Sequence, residues 1–271
     1  MPELPEVETT LRGIEPHIIN KEIDTIIVRQ SQLRWKVPVL ELKRNLVENK
    51  FLSIKRRAKY LLLNLAEGSI IIHLGMSGSL RLVENKAKFK KHDHIDILFK
   101  GGLILRYTDP RKFGSFLWTQ NPEEHTLIKN LGPEPLGNKF NANYLFEISR
   151  NRTVSIKNLI MNSRVVAGIG NIYASEVLFE SGIRPNRESR KVRLDEFESL
   201  VLNIRSLLNK SIKKGGTTLR DFVGGDNKPG YFKQQLRVYG RAGEPCIKCK
   251  EPLVNLKIGQ RSSVFCKECQ N

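Results

Sequence analysis

The sequence predicts an α+β chain of more than one domain: an antiparallel β-sandwich or barrel opened by a helix, then a helical domain, then a short C-terminal hairpin holding four cysteines. Three observations lead there. The first residues carry apolar side chains at helical spacing, the stretch to about residue 120 carries short alternating runs, and every cysteine falls in the last 26 residues. At 271 residues and 39% hydrophobic, the chain is long enough to bury a substantial core.

Leu4, Val7, Leu11 and Ile14 stand three and four apart, Pro5 takes a favoured first-turn position, and Glu6 and Glu8 complement the positive end of a helix. Pro2 and Glu3 therefore sit at a helix N-terminus. From about residue 22 the period shortens to two, as in Ile95-x-Ile97-x-Phe99 and Leu103-x-Leu105-x-Tyr107 around the Gly101-Gly102 turn. Ser69 to Leu74 adds a further strand, and strands in such close succession favour antiparallel pairing over a parallel sheet. The turn-rich Leu131-Gly-Pro-Glu-Pro-Leu136 marks a boundary, after which the pattern is helical. Ile156, Leu159 and Ile160 begin a helix-turn-helix element whose turn lies in Val165-Val-Ala-Gly-Ile-Gly-Asn-Ile-Tyr173 and whose second helix ends near Gly182. The most regular helix is expected from about Asp195 to Lys214, with Phe197, Leu200, Val201, Ile204, Leu207, Leu208 and Ile212 on one stripe, acids at its start and Lys213-Lys214-Gly215-Gly216 at its end. Residues 216–235 read as a Gly-rich polar loop. The expected domains are 1–132, 133–235 and 236–271.

The 46 Lys and Arg against 28 Asp and Glu leave a formal charge of +18, more than solubility needs, which points to a polyanionic partner. Nucleic acid fits. No segment approaches about 18 consecutive apolar residues, and no charged-then-apolar leader is evident, so the expectation is a soluble, cytoplasmic protein without a membrane partner. The cysteines form Cys246-Ile-Lys-Cys249 and Cys266-Lys-Glu-Cys269 with none left over, the spacing of one tetrahedral thiolate site for Zn²⁺; two redox-active dithiols are the alternative. Four cysteines fill a tetrahedral site and leave no open position, so such a zinc ion is structural.

A small second residue is the usual setting for removal of an initiator methionine. What would remain at Pro2 is a secondary amine, less basic than a lysine, and the helix end beside it favours the uncharged, nucleophilic form. Pro-Glu taken alone is more often helix-capping chemistry. The glycines of the helix-turn-helix segment let backbone N–H groups converge on a phosphate, although a lone Gly-x-Gly-Asn is more often a cap.

The start Pro2-Glu-Leu-Pro-Glu-Val-Glu-Thr9, Arg57-Ala-Lys-Tyr60, His73-Leu-Gly-Met-Ser-Gly78, Lys91-His-Asp-His94, Asp109-Pro-Arg-Lys-Phe-Gly114 and the cysteine hairpin occur in one order. Together, from Pro2 to Cys269, they closely resemble formamidopyrimidine-DNA glycosylase. The resemblance implies an N-terminal β-sandwich, a helix-two-turn-helix domain and a C-terminal zinc finger. It further implies a monomeric base-excision repair enzyme that extrudes oxidised purines from double-stranded DNA, excises them and cleaves the abasic strand. Pro2 would attack the sugar, Glu3 would serve as the acid, Lys59 as a further proton donor, and Arg261, in Gly259-Gln-Arg-Ser262, as the last catalytic arginine. For Arg261 the alternative, with less weight, is a phosphate-only contact, since arginine is a poor acid. Met76, Arg111 and Phe113 match the residues that fill the gap left by the extruded nucleotide, although Met and Phe are more often core residues. His92 matches a DNA contact, against the alternative of a structural histidine, and Asn171 matches the polar contact of the phosphate-gripping turn. The basic run expected just before the second domain's first helix reads Ser149-Arg-Asn-Arg-Thr153 and slips by one residue, with Arg152 as the candidate contact.

A sister class removing oxidised pyrimidines is the nearest alternative. Its chains differ more in Gly215-Gly-Thr-Thr-Leu-Arg-Asp-Phe222 and Lys228-Pro-Gly-Tyr231, which look like the purine enzyme's lesion-covering loop. A non-catalytic zinc-dependent DNA-binding protein would explain the charge and the cysteines but not the Pro-Glu start.

Overall fold

The computed structural model describes residues 2–84, 87–216 and 236–271, and these divide between two compact units. The first holds residues up to 129 together with 212–216, and the second holds 130–211 and 236–271. The proposed lesion-covering loop beyond Gly216 lies outside the described residues.

In the first unit, helix α1 (Leu4–Ile18) begins with reciprocal contacts between Glu3 and Glu6. The Glu3 N–H donates to Glu6 Oε2 at 2.9 Å, satisfying a donor that a helix start otherwise leaves unpaired. Leu4, Val7, Leu11, Ile14 and Ile18 are buried, as the spacing requires. Two four-stranded antiparallel sheets follow. One has the order β1 (Ile23–Val28), β6 (Asp93–Phe99), β7 (Leu103–Thr108), β5 (Ser79–Glu84), and the other β2 (Ser53–Arg57), β3 (Tyr60–Leu65), β4 (Gly68–His73), β8 (Ser115–Thr119). Ile26, Ile95, Ile97 and Leu105 of the first share one core with Leu61, Leu63, Ile70 and Ile72 of the second, so the arrangement is a sandwich rather than a barrel. Leu62 and Ile71 point to the opposite face and are buried as well, which is why these strands read as apolar runs without alternation.

One helix was not anticipated. Helix α2 (Val39–Leu46) interrupts the stretch read as strands, and its Leu42 and Leu46, four apart, enter the sandwich core. Two apolar positions give too short a pattern to distinguish a two-turn helix from a strand.

The second unit contains helices α3 (Ala142–Ser149), α4 (Ile156–Met161), α5 (Asn171–Glu180) and most of α6 (Leu194–Lys213), followed by the hairpin β9 (Val254–Ile258) and β10 (Arg261–Phe265). Phe197, Leu200, Ile204 and Leu208 of the long helix are buried, and Ser155 and Asn141 cap α4 and α3 through their side chains. The Glu176 carboxylate accepts the N–H groups of Arg237, Val238 and Tyr239 at 2.8–3.0 Å, fastening the segment before the hairpin to α5. Among the described residues no helix is long and apolar enough to cross a membrane.

Candidate active site and thiol cluster

Pro2 and Glu3 are buried at the start of α1, with Glu3 only 1% exposed. The Arg56 guanidinium donates to Glu8 at 2.8 Å and to the Ala58 carbonyl at 3.0 Å, tying the β2–β3 turn to α1. That turn carries Lys59, preceded by Ala58 at φ +54°. Across the β3–β4 pair Tyr60 faces His73, with ring centroids 4.9 Å apart. Burial, reinforced by the nearby charges of Lys59 and Arg34, pushes His73 down to about 4. It is therefore a neutral imidazole at pH 7, and its Nδ1 accepts the N–H of Gly75 at 3.0 Å.

Gly75 opens one of two loops that run back to back, the first buried except at Met76 and the second exposed from 110 to 113. A Cβ on Gly75, at φ +62°, would lie 2.5 Å from Gly114 N, so only glycine permits this approach. Asp109, fully buried, joins the loops: its carboxylate accepts from Ser77 Oγ at 3.0 Å, Gly114 N at 2.8 Å, Tyr107 Oη at 3.2 Å and Arg111 N at 3.3 Å. The Asp109 N–H donates to the His92 carbonyl, and the Asp109 carbonyl meets His94 Nε2 at 2.8 Å. Three sequence motifs thus converge on one aspartate. Met76 and Phe113 are 38% and 46% exposed, and the Arg111 guanidinium lies 4.7 Å from the Phe113 ring centroid. These residues, with Leu33, Arg34 and His73, line a cavity of about 690 Å³. Sequence reasoning assigned no role to Asp109, His73 or Arg34. The first two stood inside motifs already singled out, and the cue available for Asp109 was an acid between exposed-loop residues in a strongly basic chain.

In the second unit Asn171 is the first residue of α5, and its Nδ2 donates to the Ser262 carbonyl at 3.2 Å. Arg261 is the exposed first residue of β10, beyond the Gly259-Gln260 turn. Of the two arginines before α4, Arg150 is committed to packing: it lies 3.9 Å from the Phe146 ring centroid and donates to the Val192 carbonyl at 2.6 Å. That leaves Arg152 as the candidate contact in this run.

The four cysteine sulfurs lie within 4.8 Å of one another, with Cys246 and Cys269 3.9 Å apart and Cys249 and Cys266 3.4 Å apart. Four sulfurs about 2.3 Å from a tetrahedral zinc would stand about 3.8 Å apart, so the cluster fits that ion. Burial raises the Cys246 thiol, but N–H groups of Cys249 and Lys248 and the adjacent thiols outweigh it and bring it down to about 7. Burial and its three neighbours push Cys269 to about 12. Neutral thiols crowded in this way resist joint ionisation, which a cation relieves.

The family model for the formamidopyrimidine-DNA glycosylase N-terminal domain matches residues 1–116, and that for the same enzyme's H2TH domain matches residues 131–223. The chain belongs to the formamidopyrimidine-DNA glycosylase family. A formamidopyrimidine-DNA glycosylase of Nitrosococcus oceani is 52% identical over the full length of both chains. The wild-type Lactococcus lactis glycosylase, solved with DNA containing an N7-benzyl formamidopyrimidine, superposes with a TM-score of 0.92 at 34% identity and complete coverage of both chains. A MutM structure with DNA containing carbocyclic 8-oxoguanine gives 0.91 at 33% identity, again with complete coverage. The β-sandwich, H2TH helices and four-cysteine hairpin are the fold of this family.

Asp109→Ala in this glycosylase family member strips Ser77, Tyr107 and Gly114 of a shared acceptor, so stability should fall by roughly 1–3 kcal/mol. Thermal denaturation checks this, and a wild-type melting temperature would show that the loops hold without the carboxylate.

Proposed function

We propose that this protein excises oxidised purines, 8-oxoguanine and formamidopyrimidines, from duplex DNA and then cleaves the abasic strand. The observation that carries the reading is the Pro2-Glu3 pair buried at the start of α1, together with Lys59 in the turn of the β2–β3 hairpin that α1 packs against. With the initiator methionine removed, the Pro2 nitrogen attacks C1′ of the lesion nucleotide, the glycosidic bond breaks, and the base departs with a proton. Glu3 protonates O4′ as the C1′–O4′ bond breaks and the sugar ring opens, and the resulting C1′ iminium makes a C2′ proton labile, so the 3′ and then the 5′ phosphate are eliminated. Lys59 and Arg261 assist those proton transfers and hold the phosphates. Hydrolysis of the final iminium returns the free secondary amine.

Extrusion of a nucleotide leaves a gap in the stack that costs a few kcal/mol unless filled. Exposed Met76 and Phe113, with Arg111 against the Phe113 ring, are suited to fill it. His92, Asn171 and Arg152 add contacts to the DNA backbone, consistent with the +18 charge. A zinc ion bound by Cys246, Cys249, Cys266 and Cys269 would order the hairpin that bears Arg261 and would take no part in the chemistry. The relatives named for this activity, and the structures with lesion-containing DNA, support the same reading.

Borohydride trapping on a duplex with one 8-oxoguanine opposite cytosine tests it, with a covalent protein–DNA adduct as the expected result. Pro2→Gly, which makes the terminal amine primary, should lower adduct yield and strand cleavage while duplex affinity stays nearly unchanged. A wild-type yield from protein shown by mass to retain Met1 would exclude Pro2 as nucleophile.

Phe113→Ala should abolish most excision from intact duplex and barely move the melting temperature, since the ring is about half exposed. A buried phenylalanine would instead cost about 3–5 kcal/mol, so single-turnover excision and denaturation on one sample distinguish wedge from core.

Cys249→Ser should lower zinc content and DNA affinity together and unfold the hairpin, leaving the sandwich transition in place. Normal affinity from a metal-free hairpin would contradict this.

A further inference from the structure

Residues 87–92 lead into β6 and carry Lys88, Phe89, Lys90 and Lys91, all exposed. An exposed lysine run is ordinarily a solvated face on a backbone that nothing holds. Here the backbone is gripped from below. Arg106, buried on β7, donates from Nη1 to the Lys88 carbonyl at 3.0 Å and from Nη2 to the Ala87 carbonyl at 3.3 Å, while its Nε and Nη2 also donate to the two oxygens of Asp96 at 2.8 Å. Buried Asp93 accepts the Lys90 N–H at 2.8 Å and gives its own N–H to the Lys90 carbonyl at 3.0 Å. The Arg29 guanidinium lies 4.4 Å from the Phe89 ring centroid and donates to Asp96 at 2.7 Å. The stretch from Ala87 to Lys90 is thereby fixed by a charged network beneath it.

The network also decides where the charge goes. Asp93 and Asp96 are occupied by Arg29, Arg81 and Arg106, and among the described residues no acid pairs with the ammonium groups of Lys88, Lys90 or Lys91. Their charge is left uncancelled above a surface held in one shape. The loop is continuous with the side of the sandwich assigned to DNA: the next residue is His92, whose carbonyl accepts the Asp109 N–H, and Asp109 binds the loops that bear Met76, Arg111 and Phe113. Such a stretch of chain reaches up to about 13 Å from His92. At about 3.4 Å of helix axis per phosphate along one strand, that span covers about four phosphates.

We propose that Lys88, Lys90 and Lys91 form a further contact with duplex DNA, binding phosphates that flank the stretch held by His92. The proposal rests on the duplex-DNA reading given above and not on the excision chemistry. Phosphates are alike in every sequence, so such a contact suits an enzyme that must hold undamaged DNA while it searches for a lesion. A loop fixed in advance also lowers the ordering cost of binding, which loosely held lysines would meet in full.

The test uses the full-length zinc-loaded chain with Lys88→Ala, Lys90→Ala and Lys91→Ala combined, and follows affinity for undamaged and 8-oxoguanine duplexes against salt concentration. The slope of log affinity on log salt should flatten by about 2.7, since each phosphate contact contributes about 0.9. Both duplexes should lose affinity alike, because no base is read. Trimming the flank on one side of the lesion should abolish the difference between variant and wild type, whereas trimming the other side should leave it. Replacing the three lysines by arginine should keep the wild-type slope. The three single alanine variants, each flattening the slope by about 0.9, serve if the combined variant folds poorly. A control with Lys21, Lys43 and Lys50 replaced by alanine, exposed lysines of the same unit, has the same net charge and should keep the wild-type slope. An unchanged slope in the combined variant, an equal flattening in the control, or a deficit indifferent to both flanks would overturn the proposal. A wild-type chain that binds duplex but forms no borohydride adduct would instead refute the glycosylase-lyase reading, and the slopes would still decide whether this loop binds phosphates.

Discussion

Ser77, Tyr107, Arg111 and Gly114 all give hydrogen bonds to the two oxygens of Asp109, which is buried and accepts them at 2.8–3.3 Å. An ionised carboxylate removed from water is costly unless its lone pairs are filled, and here filling them draws two loops together. Both loops cross between the two sheets of the sandwich, one joining β4 to β5 and the other β7 to β8, and they lie side by side because β4 pairs with β8 and β5 with β7. Each is short and contains glycine, and the first is buried except at Met76 whereas the second exposes residues 110–113. With Asp109 between them, Met76, Arg111 and Phe113 project from one rigid platform, and His94 on the Asp109 carbonyl extends that platform to the His-Asp-His segment.

The same device recurs where the chain must be fastened without a large apolar contact. Glu6 takes the N–H of Glu3 at the start of α1, and Glu176 takes three consecutive N–H groups ahead of the hairpin. On the sandwich, Asp96 holds Arg106 through two hydrogen bonds of 2.8 Å and Arg29 through one of 2.7 Å. In a chain with 46 basic and 28 acidic residues, a buried acid organises its neighbours while many cations stay at the surface for a polyanion. Lys157 reverses the pattern. It is a cation on α4 withdrawn from the surface, and the oxygens it gathers belong to helix α5 and to the hairpin.

Much of the architecture was legible because it rests on local periodicity. The spacing of Leu4, Val7, Leu11 and Ile14 specified α1, the alternation at residues 95–107 specified the β6–β7 hairpin, and the stripe from Phe197 to Ile212 specified α6 to within a residue at each end. Helix α2 escaped because two leucines do not establish a period, and the sandwich could not be told from a barrel because closure depends on which strands pair, not on how any one alternates. Arg152 was already the candidate contact from the sequence, and what the structure adds is the physical reason to set Arg150 aside, its guanidinium being folded onto Phe146.

By itself the sequence determined most of the elements, the family, the four clustered thiols and the motifs from which the candidate site is built, because each is written in residue types at short, fixed spacings. Only the tertiary structure decided that Met76 and Phe113 face solvent instead of the core, that Asp109 ties their loops together, and that Lys157 grips the hairpin tip. Those facts depend on hydrogen bonds between residues 32 and 105 positions apart. At such separations a serine or an aspartate carries no mark of its partner. Burial decides which polar groups must find one another, and burial is a property of the packed chain.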